Sequence, residues 1–290
     1  MTRVGIVAKS HLREATAHLI AVEAWLATRG HETVFETATA ALIPGAAGRR
    51  VADKPALVTM VDLLLVLGGD GTLLSVADCA ASANVNVPIL GVNFGGLGFL
   101  TEATLPELYP SLEAALAGTV RTEERMMLRA TTMRGGEARP DHLALNDVVI
   151  TKAARARMTD LSVFVGDEFV THVKADGLIV ATPTGSTAYN LAAGGPIVQP
   201  VLDAIVLTPI APHMLTNRPI VIPSSAVVRV RPMMTERDEI YVTFDGQAGY
   251  QLEAGDEVQI RCAERRVRLL RFSPRSYFDV LRQKLKWNER

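Results

Sequence analysis

A carboxylate set among glycines is the first feature of this sequence able to do chemistry, and it lies in Leu65-Val66-Leu67-Gly68-Gly69-Asp70-Gly71-Thr72-Leu73-Leu74. An aliphatic run that ends in glycines and enters a helix is a phosphate-site candidate. Ligands of open α/β sheets bind beyond the carboxyl ends of strands, and glycines at a helix start let backbone N–H groups approach phosphate oxygens. No Lys-Ser/Thr pair follows, so this is not a Walker loop, and Gly69-Asp70-Gly71 lacks the third glycine of the dinucleotide fingerprint. An acid standing alone there repels phosphate unless it takes a proton or holds a cation. Asp70 is therefore the candidate catalytic residue, and a plain helix cap is the alternative that the pentad alone leaves open. Gly68, Gly69 and Thr72 are the candidate phosphate-loop residues.

Two further clusters carry polar chemistry. Gly91-Val92-Asn93-Phe94-Gly95-Gly96-Leu97-Gly98-Phe99-Leu100 follows the next aliphatic run. It forms a second wall of a cleft if the two strands are neighbours, and an ordinary tight loop otherwise. Asp176-Gly177-Leu178-Ile179-Val180-Ala181-Thr182-Pro183-Thr184-Gly185-Ser186-Thr187-Ala188-Tyr189-Asn190-Leu191-Ala192-Ala193-Gly194-Gly195-Pro196 concentrates hydroxyls between a strand and a helix-like stretch. A Ser/Thr-rich turn explains one or two of those hydroxyls but not the whole run, which suits an anionic or polyhydroxylated ligand. Asn146-Asp147 at a strand start and Asp245-Gly246-Gln247 at a strand end offer groups for base edges and ribose hydroxyls, although Asp-Gly is also a common hairpin turn.

The elements that must position these residues follow two patterns. Over the first ~120 residues strand-like runs alternate with helix-like segments, as a parallel sheet with crossover helices requires. Arg3 to Lys9 opens the domain, Ser10 is the expected N-cap of a helix carrying Leu12, Ala15, Leu19, Val22 and Leu26, and Gly30 is its expected stop. Asp62 to Leu67 reads as a central strand covered on both faces, and Pro88 to Val92 as another. From Arg125 onward short alternating runs predict antiparallel sheets, through Leu161 to Val165, Glu168 to Val170, Val227 to Arg231, Glu239 to Phe244, Glu257 to Cys262 and Arg265 to Phe272. Ser276 to Lys286 returns to helical spacing. The expected domains are an α/β domain over 1–125, a β-rich domain over 126–272 and a C-terminal helix over 273–290. No one segment holds both a base and enough polar groups for a dinucleotide, so the sequence predicts a ligand shared by both domains.

Composition narrows the partners. A chain of 290 residues with 48% hydrophobic and 21% charged residues is globular, not disordered or fibrous. Its formal charge of −1 supplies no global positive field for nucleic acid. Cys79 and Cys262 lie far apart, in no metal-type spacing, and read as reduced thiols. No apolar run approaches the roughly 18 residues of a spanning helix, and the start alternates too soon for a signal peptide. A cytoplasmic protein without a membrane partner is expected.

In combination, Gly68-Gly69-Asp70-Gly71-Thr72, Asn146-Asp147, Thr182 to Tyr189 and Asp245-Gly246-Gln247, in this order, resemble the NAD kinase family of the bacterial type. The glycine pentad is shared with diacylglycerol-type lipid kinases and phosphofructokinases; the Thr-Pro-Thr-Gly-Ser-Thr-Ala-Tyr run makes the resemblance specific. It implies a Rossmann-like parallel α/β domain, a β-rich C-terminal domain, and a C-terminal segment packing back on the first domain. It also implies transfer of the γ-phosphoryl of ATP, or of inorganic polyphosphate, to the 2′-hydroxyl of the adenosine ribose of NAD, with Mg²⁺ or another divalent cation. Asp70 then matches the proton acceptor. Gly71, Asn146, Asp147, Arg157, Lys174, Asp176, Thr187, Ala188, Tyr189, Asn190, Leu191, Ala192, Ala211 and Gln247 match nucleotide-contacting positions. Many members carry Glu where this chain has Asp147, and Ala192-Ala193 replaces a Ser-containing variant. The resemblance further implies a homo-oligomer, dimer or tetramer. The rival readings are a lipid kinase, for which no basic amphipathic helix is present, and a non-catalytic NADP-binding sensor, for which Asp70 is the wrong charge beside phosphate.

Overall fold

The computed structural model describes residues 1–10, 14–45, 48–101, 103–153, 158–214, 216–234, 238–272 and 275–287. In chain order the elements are β1 (Arg3–Ala8), α1 (Ala15–Thr28), β2 (Glu32–Glu36), α2 (Thr37–Ala40), β3 (Arg50–Ala52), α3 (Lys54–Met60), β4 (Leu63–Leu67), α4 (Asp70–Ser82), β5 (Ile89–Asn93), β6 (Ala103–Thr104), α5 (Leu108–Leu116) and β7 (Arg121–Arg125). They continue with β8 (Leu128–Arg134), β9 (Glu137–Ala138), β10 (His142–Ala144), β11 (Asp147–Lys152), β12 (Thr159–Val165), β13 (Glu168–Ala175), β14 (Gly177–Ala181) and α6 (Tyr189–Ala192). The last are β15 (Ala204–Ile210), β16 (Ile220–Pro223), β17 (Val228–Pro232), β18 (Ile240–Phe244), β19 (Ala248–Gln251), β20 (Glu257–Cys262), β21 (Val267–Arg271) and α7 (Tyr277–Leu285). The chain divides into one unit of Met1–Glu124 with Val267–Arg290 and another of Arg125–Arg266.

The first unit is built on the sheet β3-β2-β1-β4-β5-β21-β7, with β6 beside β5. Strands β1 to β5 pair in parallel. Five consecutive aliphatics make β4 a strand with both faces buried, each residue at most 3% exposed. The chain winds outward from β1 to β2 and β3, then returns to lay β4 on the other side of β1. That reversal is the topological switch point at which open α/β sheets bind ligands. The carboxyl ends line up there, with the Lys9 N–H donating to the Leu67 carbonyl and the Gly68 N–H to that of Val92, each at 2.9 Å.

Helix α1 buries Ala15, Leu19, Val22 and Leu26 against this sheet. It begins at Ala15 with Glu14 at the N-cap, not at Ser10, and Leu12 lies outside the described residues. Strand β21, expected in an antiparallel sheet of the β-rich domain, lies in the parallel sheet of the first unit. Its alternation suits either sheet, and it pairs in parallel with β5, Leu269 beside Ile89, in the first unit. Alternation shows which face of a strand is buried and says nothing of its neighbour. Helix α7 opens with a capping box between Ser276 and Asp279 and buries Val280 and Leu281. Within the same unit Arg275 pairs with Glu107 at 3.1 Å, and the Lys284 ammonium lies 5.7 Å from the centre of the Phe99 ring.

The second unit consists of two antiparallel sheets, β10-β8-β20-β17-β12-β13 with β9 beside β8, and β16-β15-β14-β11-β18-β19. Inward residues of both, among them Leu128, Val148, Leu161, Leu178, Val242 and Ile260, form one core. Among the described residues no helix is long and apolar enough to cross a membrane, which says nothing of a barrel of strands.

Candidate active site

Asp70 is the first residue of α4, and Gly69 occupies the N-cap position without a side-chain cap. The Asp70 carboxylate turns away from its own helix. Its Oδ2 accepts the Phe99 N–H at 2.9 Å, and its Oδ1 accepts the N–H groups of Leu100 at 3.1 Å and Thr101 at 3.0 Å and the Thr101 hydroxyl at 2.9 Å. The helix-cap alternative is thereby removed: the donors, Phe99 to Thr101, come from the end of the second glycine cluster and the residue after it, in the loop that follows the neighbouring strand β5. A Cβ at Gly98 would overlap both the Asp70 carboxylate and the Thr101 hydroxyl, so this loop needs glycine to close on the acid.

Beyond the carboxyl ends of β1 and β4 opens a cavity of about 460 Å³, bounded by Lys9, Ser10, Glu36, Lys54, Gly69, Gly71, Thr72 and Ser75. Lys54, at the start of α3, is held there by a 2.6 Å bond to the Ser75 hydroxyl, and Asp53 caps α3 by accepting the Ala56 N–H at 2.8 Å. Lys9, Lys54 and the start of α4 thus border one cavity that also holds Glu36, and two lysines against one acid suit a phosphate chain. Gly69, Gly71 and Thr72 stand where the sequence places a phosphate loop; Gly68 is buried behind them and packs against Thr72. The sequence reading missed Lys9 and Lys54. Their only signal is a position just after β1 and at the start of α3, and it acquires meaning once the strand order is known.

A second cavity, of about 410 Å³, lies in the other unit against β11 and β18 and is bounded by Asn146, Asp147, Val149, Thr151, Ala188, Tyr189, Thr243, Asp245 and Gly246. Its floor is fixed by one carboxylate. Asp245 Oδ2 accepts the Leu145 N–H at 2.8 Å, and Oδ1 accepts the N–H groups of Asn146 at 2.7 Å and Asp147 at 3.0 Å. Asp245 and Gly246 both take left-handed backbone, with φ of 51° and 63°, in the turn joining β18 to β19. The Asp-Gly pair is therefore a hairpin turn whose side chain also organises the Asn146-Asp147 segment. Asp147 is 4% exposed. Burial, and secondarily the charge of Asp245, pushes its carboxyl up to about 7.

The hydroxyl run divides by direction. Thr182 donates to the Leu145 carbonyl at 2.6 Å, and Ser186 is bonded to the Pro183 carbonyl and the backbone of Val198. The Asn190 amide donates to the carbonyls of Ser186 and Pro196 and accepts from Thr208. These groups hold the loop in shape, and their side chains are spent on the protein itself. Thr187 donates to the Thr184 carbonyl at 3.3 Å, while Ala188 and the half-exposed Tyr189 face the second cavity. Leu191 and Ala192 follow without polar side chains.

Lys174, Asp176, Ala211 and Gln247 are absent from the boundary of that cavity. Asp176 pairs with Lys152 at 2.9 Å, and its carbonyl accepts the hydroxyl of the cavity residue Thr151 at 3.0 Å. Ala211 holds a left-handed φ of 44° just after β15. Lys174 and Gln247 are exposed, and Arg157 lies outside the described residues. Val149, Thr151 and Thr243 were not legible as site residues, because alternating strand residues carry no mark of which face meets a ligand. Among the described residues no group of three His, Cys, Asp or Glu is placed to hold a metal.

A switch-point cavity with two lysines, a carboxylate at a glycine turn and a second pocket with Asn146, Asp147 and Asp245 on its boundary define a nucleotide-handling protein of the phosphotransferase kind. The family model of the ATP-NAD kinase N-terminal domain matches residues 4–120, and that of the ATP-NAD kinase C-terminal domain matches residues 145–272. NAD kinases of Syntrophotalea carbinolica and Geobacter sulfurreducens are each 48% identical to this chain over 290 residues, covering 100% of both chains. Among solved structures, yeast NADH kinase complexed with NADH superposes with a TM-score of 0.89 at 24% identity, covering 100% of this chain and 89% of that one. An NAD kinase from Archaeoglobus fulgidus in complex with ATP gives 0.77 at 27%, covering 98% of each. The chain belongs to the NAD kinase family. The full-length matches favour the NAD kinase reading over the lipid kinase one.

Proposed function

We propose that this protein transfers the γ-phosphoryl of ATP to the 2′-hydroxyl of the adenosine ribose of NAD, forming NADP and ADP. The observation that carries it is a carboxylate, Asp70, fixed by backbone N–H groups and set between Gly69 and Gly71, which border the cavity that Lys9 and Lys54 share. A ribose hydroxyl is a poor nucleophile at neutral pH and needs a positioned proton acceptor. As its oxygen attacks the γ-phosphorus, the O–H proton passes to Asp70 and the bond to the ADP oxygen breaks. Gly69, Gly71, Thr72 and the two lysines receive the donor phosphates, whose polyanionic charge the ammonium groups offset. Inorganic polyphosphate offers the same anionic chain and is the second donor to test.

A divalent cation bound with the phosphates would spread their charge; the oxygen side chains on the cavity wall that could reach it are Thr72 and Glu36, whose Oε2 already caps α2 through Thr39. Asn146, Asp147, Ala188 and Tyr189 take the adenosine half of NAD, Asp147 as a carboxyl that, pushed up to about 7, still holds part of its proton at neutral pH. Lys174, Asp176, Thr187, Asn190, Leu191, Ala192, Ala211, Gln247 and Arg157 are assigned to the nucleotide by family resemblance. On the same footing the enzyme is cytoplasmic and a dimer or tetramer, which sedimentation checks. The test of the activity is phosphorus NMR of the product formed from NAD, ATP and Mg²⁺. A new 2′-monoester resonance is the expected result. No product, or a 3′-ester, refutes the assignment.

A further inference from the structure

The two oxygens of Asp70 are not equivalent. Oδ1 accepts from the Leu100 N–H at 3.1 Å, the Thr101 N–H at 3.0 Å and the Thr101 hydroxyl at 2.9 Å, whereas Oδ2 accepts only from the Phe99 N–H at 2.9 Å among the described residues. A carboxylate oxygen has two lone-pair directions, so Oδ1 is filled and Oδ2 keeps one open. The direction of the Thr101 bond is set upstream. The Gly95 N–H, which can only donate, meets one side-chain atom of Asn93 at 2.8 Å, and that atom must be the amide oxygen. The amide nitrogen is thereby turned to Thr101 and donates to Oγ1 at 2.9 Å. With its lone pair engaged by a group that cannot accept, the Thr101 hydroxyl has to send its single proton to Asp70. Gly95, Asn93, Thr101 and Asp70 form one chain of donors pointing at one oxygen. Asn93 is 9% and Thr101 0% exposed, so water does not stand in for a missing member.

We infer that Asn93 and Thr101 are positioning residues that lock Oδ1 of Asp70 and leave Oδ2 as the oxygen presented to the nucleophilic hydroxyl. This rests on Asp70 being the proton acceptor. Thr101→Val keeps the shape of the side chain and removes the hydroxyl. Asn93→Asp keeps the volume and replaces the donating nitrogen with an acceptor that competes for the Thr101 proton. Both should lower kcat about 10- to 100-fold with the KM values for NAD and ATP within about threefold, the signature of lost orientation without lost binding. Thr101→Ser, which retains Oγ, should stay within about threefold of wild type in kcat. In an Asp70→Asn background, Thr101→Val should add no further loss, because no carboxylate remains to orient.

Several outcomes overturn the inference. One is Asp70→Asn inactive while Thr101→Val or Asn93→Asp keeps at least half of kcat. Another is Thr101→Ser falling as far as Thr101→Val, which marks a purely structural threonine. If Thr101→Val fails to fold, Asn93→Asp and Thr101→Ser decide the matter by the same criteria. Asp70→Asn remaining active refutes the proton-acceptor assignment itself, a result separable from failure of the donor chain.

Discussion

Replacing Asp147 with Asn should make the protein more stable at alkaline pH than at acid pH relative to wild type. Asp147 is 4% exposed, and its carboxyl is raised from 3.8 to about 7 by burial and by the charge of Asp245. A carboxyl raised in the folded state keeps its proton where the unfolded chain has released it, so its contribution to stability falls as pH rises. The fall runs from about pH 4 to about pH 7 and then levels off, at about 1.4 kcal/mol per pH unit. Between pH 5 and pH 8 the loss amounts to about 2–3 kcal/mol. Asn cannot ionise, keeps the shape and escapes the slope. Urea unfolding of both proteins at the two pH values measures it, since other titrating groups cancel in the difference of differences. Relative to wild type, Asp147→Asn should gain about 2–3 kcal/mol on going from pH 5 to pH 8. Parallel stability curves would show that Asp147 titrates in the folded protein as in the unfolded chain and would refute the raised carboxyl.

Three other perturbations follow from the geometry. Asp245→Ala leaves three backbone N–H groups without their acceptor, and should cost about 2–4 kcal/mol in urea unfolding and raise KM for NAD at least about tenfold. Asn146→Ala should raise KM for NAD far more than KM for ATP in steady-state assays, and the reverse would exchange the two pockets. Ala211→Gly should raise Tm by about 2 °C in a thermal melt, because an Ala held at φ 44° carries strain that glycine does not.

What the sequence revealed depended on whether a signal was local. The aliphatic run ending at Leu67 and the glycines after it are covalently adjacent, so strand, turn and helix start were readable, and the adjacency of the two glycine clusters required only that β4 and β5 be neighbours. The partner of β21 was not readable, since Val267 and Leu269 would alternate identically in either sheet. The same divide runs through the candidate sites. Asp70 is marked by its setting among glycines, but Lys9 and Lys54 come from separate elements and meet only because the winding reverses at β1. The hydroxyls between Thr182 and Thr187 were visible as a cluster. Their directions were not, and Thr182 and Ser186 prove to face inward because the buried loop must satisfy its own backbone.

Whether Asp70 accepts the proton of the ribose hydroxyl is decided by the variant Asp70→Asn. The amide keeps the volume but cannot take the proton, and its NH2 set in place of Oδ2 loses the bond from the Phe99 N–H, so kcat for NADP formation should fall about 10²- to 10⁴-fold. Calorimetric titration should still show NAD bound with an affinity within about threefold of wild type. A variant retaining more than about a tenth of wild-type kcat would contradict the account.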